Sequence, residues 1–401
     1  LYWGAVWCPP CNQVKATVFS RQDFIERARL FVPVYIDGDA PGAQALGSRF
    51  KVGAYPTMVL FAPDGAEITR LPGEVDGDRY MQVLALGASQ ARPVKDLLAA
   101  ARAGKTLAAD DWRLLAFYSW ETDDQAVLRR DDQVPVLWQL ALASTATAPD
   151  ASARLALKAM TAASRAPAEG KTAFDKPAAL QRLRAALATP PVARANFAEL
   201  AYGAGSLPGF LTEAGTPARE QLLREWDRTM LRLAADGTLS RLDRVAATDA
   251  RISLARVDTP KGPLPLALQT EVRAVTHRAL RESTDRYERE ALVIASAQVL
   301  ADSGLIDESD ALLTAELKRS ATPYYLMLGL ASNARRRGDS AAALNWYEQA
   351  YAGAQGPATR LQWGASYVRA LVDLAPNETA RIERAAASVI VVSAIVFIAF
   401  L

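Results

Sequence analysis

The sequence predicts an α/β domain over residues 1–88, followed by an all-α region built in part from helical repeats. Strand-like and helical stretches alternate up to about residue 88, β-branched runs nearly vanish beyond Arg92, and a 34-residue spacing recurs near the C-terminus. The length of 401 residues favours two or three domains, at about 150 residues per domain. The predicted divisions are 1–88 (α/β), 89–265 (helical), 266–384 (helical hairpins) and 385–401 (apolar segment).

The elements of the α/β domain follow from apolar spacing and from turn residues. In chain order they are strand Leu1–Val6, helix Pro9–Arg29, strand Leu30–Ile36, helix Ala43–Phe50, strands Thr57–Ala62 and Glu67–Leu71 around the turn Pro63-Asp64-Gly65, and helix Asp76–Leu86. This order mixes parallel and antiparallel strand pairing. Because the chain opens on Leu1 with the pattern of a strand interior, we expect a fold truncated at its N-terminus, with any signal region outside this chain.

The composition excludes several classes of function. The 46 Lys and Arg residues against 44 Asp and Glu residues leave a formal charge of +2, and without a long basic block we expect no nucleic-acid partner. His277 is the single histidine, and Cys8 and Cys11 are the two cysteines. These counts exclude multi-histidine metal sites and four-cysteine zinc sites. We therefore expect no metal and no cofactor, and a solvated helical position for His277.

The motif Trp7-Cys8-Pro9-Pro10-Cys11 carries the most specific chemistry in the chain. Two cysteines on a first helical turn are close enough to form a disulfide. The preceding strand places Cys8 at a helix N-terminus, whose partial positive charge favours a thiolate. Pro9 and Pro10 suit this first turn but lack N–H groups, so the Cys11 amide is the nearest donor for Cys8. Cys11 should be more buried than Cys8.

Haem attachment, zinc binding and a purely structural role all fit the cysteine pair less well than redox chemistry does. A c-type haem site needs a histidine where Asn12 stands, and a zinc site would lack two ligands. An inert structural pair would need neither the preceding tryptophan nor the two prolines. The favoured interpretation is a redox-active Cys8–Cys11 disulfide, with Lys15 on the helical face of Cys11, where it could favour charge on that sulfur.

The motifs resemble the thioredoxin superfamily, and in particular the thioredoxin-like C-terminal domain of bacterial thiol:disulfide interchange proteins. The likeness covers about a fifth of the chain. The residues that carry it are WCPPC after a strand, Tyr55-Pro56-Thr57 before a strand, Pro63-Asp64-Gly65, Val18-Phe19-Ser20, Phe31–Asp37, and Gly65-Ala66-Glu67 with Arg70 and Gly73.

This resemblance implies that Cys8 is the attacking cysteine, Cys11 the resolving one, and Pro56 a cis-proline facing them. A cis Pro56 is also reasonable on its own, because proline has no N–H to compete as a donor; an ordinary strand-start proline is the alternative. The implied neighbours of the pair are Trp7, Pro9, Pro10, Tyr55, Pro56, Thr57 and Lys15.

One departure from the family pattern concerns proton transfer. Thioredoxin carries a buried aspartate in the strand before its motif, and the matching position here is Tyr2. The proton acceptor for Cys11 must then be another group, such as water, Glu26 or Lys15.

The helical region has a 34-residue period. Gly304 and Gly338 are 34 residues apart, as are Pro323 and Pro357, and this is the length of a tetratricopeptide helix–turn–helix unit. Residues 291–373 resemble about two such units. Three small residues would let the two helices of a unit approach, and a tyrosine would fill the space between them. They are Ala331, Ala343 and Ala350, with Tyr347. Generic antiparallel helical hairpins are the alternative.

The C-terminal segment Ala385–Leu401 is apolar except for Ser388 and Ser393. As a helix it would span about 25 Å against a hydrocarbon core of about 30 Å, which is just enough for a membrane anchor. The alternative is that the amphipathic helix before it would continue and that the apolar tail is an artefact of truncation or of the sequence. Contact of the C-terminus with a membrane is therefore left open.

Two hypotheses for the function come from different classes. In the first, the protein is a thiol–disulfide oxidoreductase that acts on protein thiols and disulfides, uses a redox partner protein, and recruits partners through its helical domain. In the second, it is a chaperone or scaffold whose helical repeats bind clients. The intact CxxC favours the first. The lack of cysteine elsewhere suits an oxidising compartment, and the resemblance favours the bacterial periplasm.

Overall fold

The structure, a computed structural model, describes residues 1–73, 77–88, 92–166 and 174–398. Its N-terminal part follows the predicted order of strands and helices. The elements are β1 (Tyr2–Gly4), α1 (Pro9–Val14), a π-helical turn (Lys15–Phe19), α2 (Gln22–Ala28), β2 (Tyr35–Asp37), α3 (Ala43–Arg49), β3 (Thr57–Phe61), β4 (Glu67–Pro72) and α4 (Gly77–Ala88).

The four strands form one mixed sheet in the order β2-β1-β3-β4. β1 pairs parallel with β2 and antiparallel with β3, so that Tyr2 lies between Tyr35 and Met58. A parallel neighbour requires a crossover connection, which α1 and α2 supply. β3 and β4 form the predicted hairpin, whose turn uses Gly65 at φ 86°, a left-handed conformation that glycine adopts without steric cost.

Three predicted elements are divided or much shorter in the structure. The predicted strand Leu1–Val6 forms only over Tyr2–Gly4. The predicted helix Pro9–Arg29 is divided into α1, the π-helical turn and α2. The predicted strand Leu30–Ile36 forms a strand only from Tyr35. Pro33 lies in the middle of that run and has no N–H to donate to a neighbouring strand. Val32 is accordingly 87% exposed.

The described residues beyond Arg92 form helices and no strands, as the sequence predicts. They are α5 (Val94–Arg102), α6 (Ala109–Phe117), α7 (Arg130–Ser144), α8 (Pro149–Arg165), α9 (Lys176–Ala188), α10 (Pro190–Ala195), α11 (Phe197–Gly203), α12 (Leu207–Leu211), α13 (Pro217–Ala234), α14 (Arg241–Ala255), α15 (Leu266–Glu282), α16 (Arg286–Asp302), α17 (Ile306–Glu316), α18 (Pro323–Arg336), α19 (Ser340–Gly353), α20 (Pro357–Leu374) and α21 (Thr379–Ile398).

The 34-residue period corresponds to successive helix pairs. Gly304 lies between α16 and α17, and Gly338 lies between α18 and α19; both have positive φ, 85° and 78°. The small residues of the second pair are buried as its helices pack together. The helical architecture is thus confirmed, while the tetratricopeptide character of these pairs stays a prediction. The small buried residues are Ala331, Ala343 and Ala350.

The hydrophobic core does not stop at the predicted boundary after residue 88. One cluster of buried side chains continues from Tyr2 and Leu84 of the α/β part to Leu115 and Trp226 of the helices. The backbone joins the two parts as well, because the Ser119 N–H donates to the Arg70 carbonyl at 2.9 Å. The domain ranges 1–88, 89–265 and 266–384 remain predictions. The predicted boundary after residue 88 divides a core that both parts share.

The C-terminal helix α21 packs on the preceding pair. Ala385 and Val389 are buried in a cluster with Tyr351 and Leu371. A side chain at Gly364 of α20 would meet Val389, so the close approach of the two helices depends on glycine there. None of the helices in the described ranges is long and apolar enough to cross a membrane. The last residues of the predicted segment, 399–401, lie outside those ranges.

We expect the half-buried Asp249 carboxyl group of α14 to make the stability of the fold depend on pH. Burial, and secondly the charge of Asp302, raise the pKa of Asp249 from 3.8 to about 6. As the pH rises, the unfolded chain loses this proton near its ordinary pKa of 3.8, whereas the folded protein keeps it until about pH 6. The free energy of unfolding therefore falls as the pH rises between these two values. We expect Asp249→Asn to raise the free energy of unfolding by about 2 kcal/mol at neutral pH.

The gain should disappear below about pH 3, where the carboxyl is protonated in both states. Urea unfolding of both proteins across this range measures it. Asp131→Asn, at a side chain that is 87% exposed, is the matched control and should change little. An Asp249→Asn gain that is equal at every pH would contradict a titration-based origin of the effect.

Candidate functional site

Local structure places the cysteine pair at the start of α1. Cys8 is the N-cap residue, and Pro9 and Pro10 occupy the first helical positions, where a missing N–H leaves no helical hydrogen bond unmade. The loop before Cys8 is held by the buried Asn12, whose Nδ2 donates to the Val6 carbonyl at 3.1 Å. Sequence reasoning used Asn12 only to exclude haem and missed this structural role.

Cys8 and Cys11 form a disulfide, with their Cα atoms 5.2 Å apart. The Cys11 N–H donates to Cys8 Sγ at 3.2 Å, as expected for the first amide after two prolines. In the reduced state this donor and the helix N-terminus would both stabilise a negative charge on Cys8. The geometry therefore favours Cys8 as the sulfur that carries the thiolate.

Both sulfurs are buried. Cys8 is 2% and Cys11 is 0% exposed, in a small cluster with Ala5 against which Trp7 and Tyr55 pack. The sequence predicts a more accessible Cys8, and the difference between the two is much smaller than expected. The prediction considers only the α/β part, whereas α1 also packs against α16, and Trp7 contacts Tyr325 and Trp363 of the helical region.

The segment before β3 has the predicted cis peptide bond between Tyr55 and Pro56. Thr57 Oγ1 donates to the Ala54 carbonyl at 2.7 Å, and Gln44 Nε2 donates to the Tyr55 hydroxyl at 2.9 Å. Burial raises the pKa of Tyr55 above its ordinary value. Tyr55 contacts the cysteine cluster, and direct contact of the Pro56 ring with the sulfurs stays a prediction.

Lys15 lies between two aromatic rings. Its Nζ is 5.5 Å from the ring centre of Tyr35 and 5.1 Å from that of Tyr287. Burial lowers the pKa of Lys15, while the faces of the rings attract its cation. The side chain thus links β2 to α16, and an influence of its charge on Cys11 stays a prediction.

The candidate proton acceptors differ in their surroundings. Tyr2 is 5% exposed, its hydroxyl has no hydrogen-bond partner among the described residues, and burial raises the pKa of Tyr2 far above neutral. It therefore cannot replace a carboxylate as a base. Glu26 is exposed on α2 and accepts a hydrogen bond from Gln22. The acceptor for Cys11, whether water, Glu26 or Lys15, stays a prediction.

Two further cavities lie in the described part of the chain, away from the cysteine pair. One cavity of about 890 Å³ lies between α9 and α13, and another of about 990 Å³ is lined by Trp120, Lys158 and Phe210. Neither is lined by residues of the cysteine site. His277 is exposed, and the described ranges contain no cluster of His, Cys, Asp and Glu suited to a metal ion.

The sheet order, the disulfide at the N-terminus of a helix and the cis-proline before β3 together define a thioredoxin fold. In agreement, the family described as thioredoxin-like domain matches residues 1–88. Residues 1–88 are therefore a thioredoxin-like domain, joined to an all-helical region.

A curated relative is the thiol:disulfide interchange protein DsbD of Pseudomonas fluorescens. It is 36% identical over 88 residues, which are 20% of this chain and 15% of that protein. The similarity thus covers a small part of both proteins. No solved structure matches the chain.

Proposed function

We propose that the chain is a thiol–disulfide oxidoreductase that exchanges disulfides with protein thiols through Cys8 and Cys11. The observation that carries the proposal is the disulfide at the N-terminus of α1, with the Cys11 amide donating to Cys8 Sγ. Similarity to a protein named for thiol:disulfide interchange supports it. The reaction needs no metal and no further cofactor, because the sulfur pair itself carries the electrons.

The exchange proceeds through two displacements at sulfur. The Cys8 thiolate attacks a substrate disulfide, forming a mixed disulfide and releasing one substrate thiolate. The Cys11 thiolate then attacks Cys8 Sγ, which closes the Cys8–Cys11 disulfide and releases the second substrate thiolate. The dithiol loses two electrons and the substrate disulfide gains them. The reverse sequence oxidises a substrate dithiol.

The helical region is proposed to decide which partners reach this pair. It contributes no cysteine, and it packs against the domain that does. We place the protein in the bacterial periplasm, since a chain with no cysteine outside its motif avoids mispairing in an oxidising space. Its partners there would be protein thiols and disulfides together with a redox partner protein.

Catalysed reduction of a protein disulfide tests the proposal. Substoichiometric amounts of the full chain should accelerate the reduction of insulin by dithiothreitol, because the protein shuttles electrons through repeated cycles of its own disulfide. Turbidity of the released insulin chains measures the rate. A rate that does not depend on the concentration of the protein would contradict the proposal.

A further inference from the structure

The residue before the attacking cysteine is held by the helical region. The Trp7 ring stacks on Tyr325 of α18, with ring centres 6.0 Å apart, and meets Trp363 of α20 edge-on at 5.2 Å. Tyr325 and Trp363 contact each other at 5.5 Å. We call Trp7, Tyr325 and Trp363 the aromatic clamp. More than 300 residues of sequence separate Trp7 from its two partners.

A polar contact fixes the same helix beside the site. Asp39, in the loop after β2, accepts hydrogen bonds from the backbone N–H of Thr359 at 2.8 Å and from the Thr359 hydroxyl. A carboxylate at this position satisfies a free N–H of the first turn of α20 and complements its dipole. Gly356 allows the approach, because a side chain there would overlap Asp39.

The other side of α1 is also covered. α1 packs against α16, and Gln13 Nε2 donates to Asp243 of α14 at 3.0 Å. With the aromatic clamp in place, Cys8 retains 2% of its surface. Thiol–disulfide exchange requires a second sulfur to approach the reacting one, so the reaction rate depends on access.

We propose that Tyr325 and Trp363 determine specificity by holding Trp7, so that folded protein thiols reach Cys8 only when α18 and α20 are displaced. This rests on the proposed function and adds to it the residues that control access. A small dithiol needs a smaller opening than a protein does, so the two classes of substrate should respond differently to the clamp. Closure also leaves the buried indole N–H groups of Trp7 and Trp363 without an acceptor in the described parts of the chain, which favours opening.

The test compares two reductants on the oxidised full-length chain. We would measure the rates at which dithiothreitol and a reduced thioredoxin reduce the Cys8–Cys11 disulfide in wild type, Tyr325→Ala and Trp363→Ala. The rate with the protein thiol should rise about tenfold or more in the variants, in proportion to the open fraction. The rate with dithiothreitol should rise much less.

Trp138→Ala is the matched control. Trp138 is a half-buried tryptophan of α7 that contacts Phe174 edge-on, and its removal should leave the ratio of the two rates unchanged. If Trp363→Ala does not fold, Asp39→Asn, which weakens the contact with α20, should shift the ratio in the same direction.

The possible failures are distinguishable. Equal ratios in wild type and in the folded clamp variants would overturn the role of Tyr325 and Trp363 while leaving the oxidoreductase function intact. If neither reductant reduces the disulfide in wild type or in any folded variant, the proposed function itself fails, and the proposed clamp with it.

Discussion

Cys8→Ser should abolish disulfide exchange, lowering the catalysed rate by about three orders of magnitude or more, as removal of a nucleophile does in other enzymes. The substitution removes the sulfur that accepts the Cys11 N–H hydrogen bond and that, in the proposed reaction, forms the mixed disulfide with the substrate in both directions. The insulin assay with dithiothreitol measures the loss. Activity of Cys8→Ser close to that of wild type would show that Cys8 is not the attacking residue.

Cys11→Ser should behave differently, because it leaves the attacking sulfur in place. We expect it to form a mixed disulfide with a protein substrate and to release it slowly, since the second displacement has lost its nucleophile. Non-reducing electrophoresis and intact mass show the trapped complex. Reduced wild type is the control for stability, because both variants also lack the disulfide. Trapping by Cys8→Ser instead of Cys11→Ser would reverse the assignment.

Glu199→Ala should destabilise the helical region by about 3–5 kcal/mol, the usual result of removing one partner from a buried ion pair. Glu199 accepts from Arg154 at 3.1 Å and from Lys158 at 3.2 Å, and both cations are 3% exposed. Burial of the carboxylate opposes ionisation, but the two cations outweigh it and hold the pKa of Glu199 below its ordinary value. Without Glu199, two cations remain buried with less compensation.

The lowered pKa of Glu199 makes the effect of Glu199→Ala depend on pH. The ionised carboxylate contributes its full stabilisation above the ordinary pKa of 4.5. This contribution is lost as the pH falls through the pKa that Glu199 has in the folded protein. Wild type and Glu199→Ala should therefore converge in acid. Glu225→Ala is the matched control, because its pair with Arg184 at 2.8 Å lies nearer the surface and should cost less than about 1 kcal/mol. Equal losses for the two variants in urea would contradict a special contribution from the buried cluster.

The parts of the fold that the sequence predicts depend on local patterns. The order of strands and helices and the hairpin at Gly65 each follow from a few neighbouring residues, whereas the cis bond before Pro56 is what the family resemblance implies. One difference between the predicted and the observed elements also has a local cause: Pro33 shortens the predicted strand Leu30–Ile36. The long-range contacts had no such signal. Nothing in the spacing around Trp7 indicates that Tyr325 and Trp363 surround it, because side-chain packing between distant segments leaves no periodicity in either.

The hydrogen bonding of the cysteine pair was easier to predict than its burial, because the hydrogen bonding depends on residues that are close in sequence. The spacing of Cys8 and Cys11, and the prolines between them, determine which amide donates to which sulfur. The surroundings of the pair also include contacts from distant segments, because α1 packs against α16 and Trp7 meets Tyr325 and Trp363.

The reduction potential of the Cys8–Cys11 pair tests the central claim most directly. The full chain would be equilibrated in glutathione and dithiothreitol buffers, quenched with acid, alkylated, and its thiols counted by mass. A pair that exchanges electrons with protein thiols should have a potential between about −270 and −120 mV, the range of dithiol oxidoreductases. A potential below about −300 mV, typical of structural disulfides, would contradict the claim.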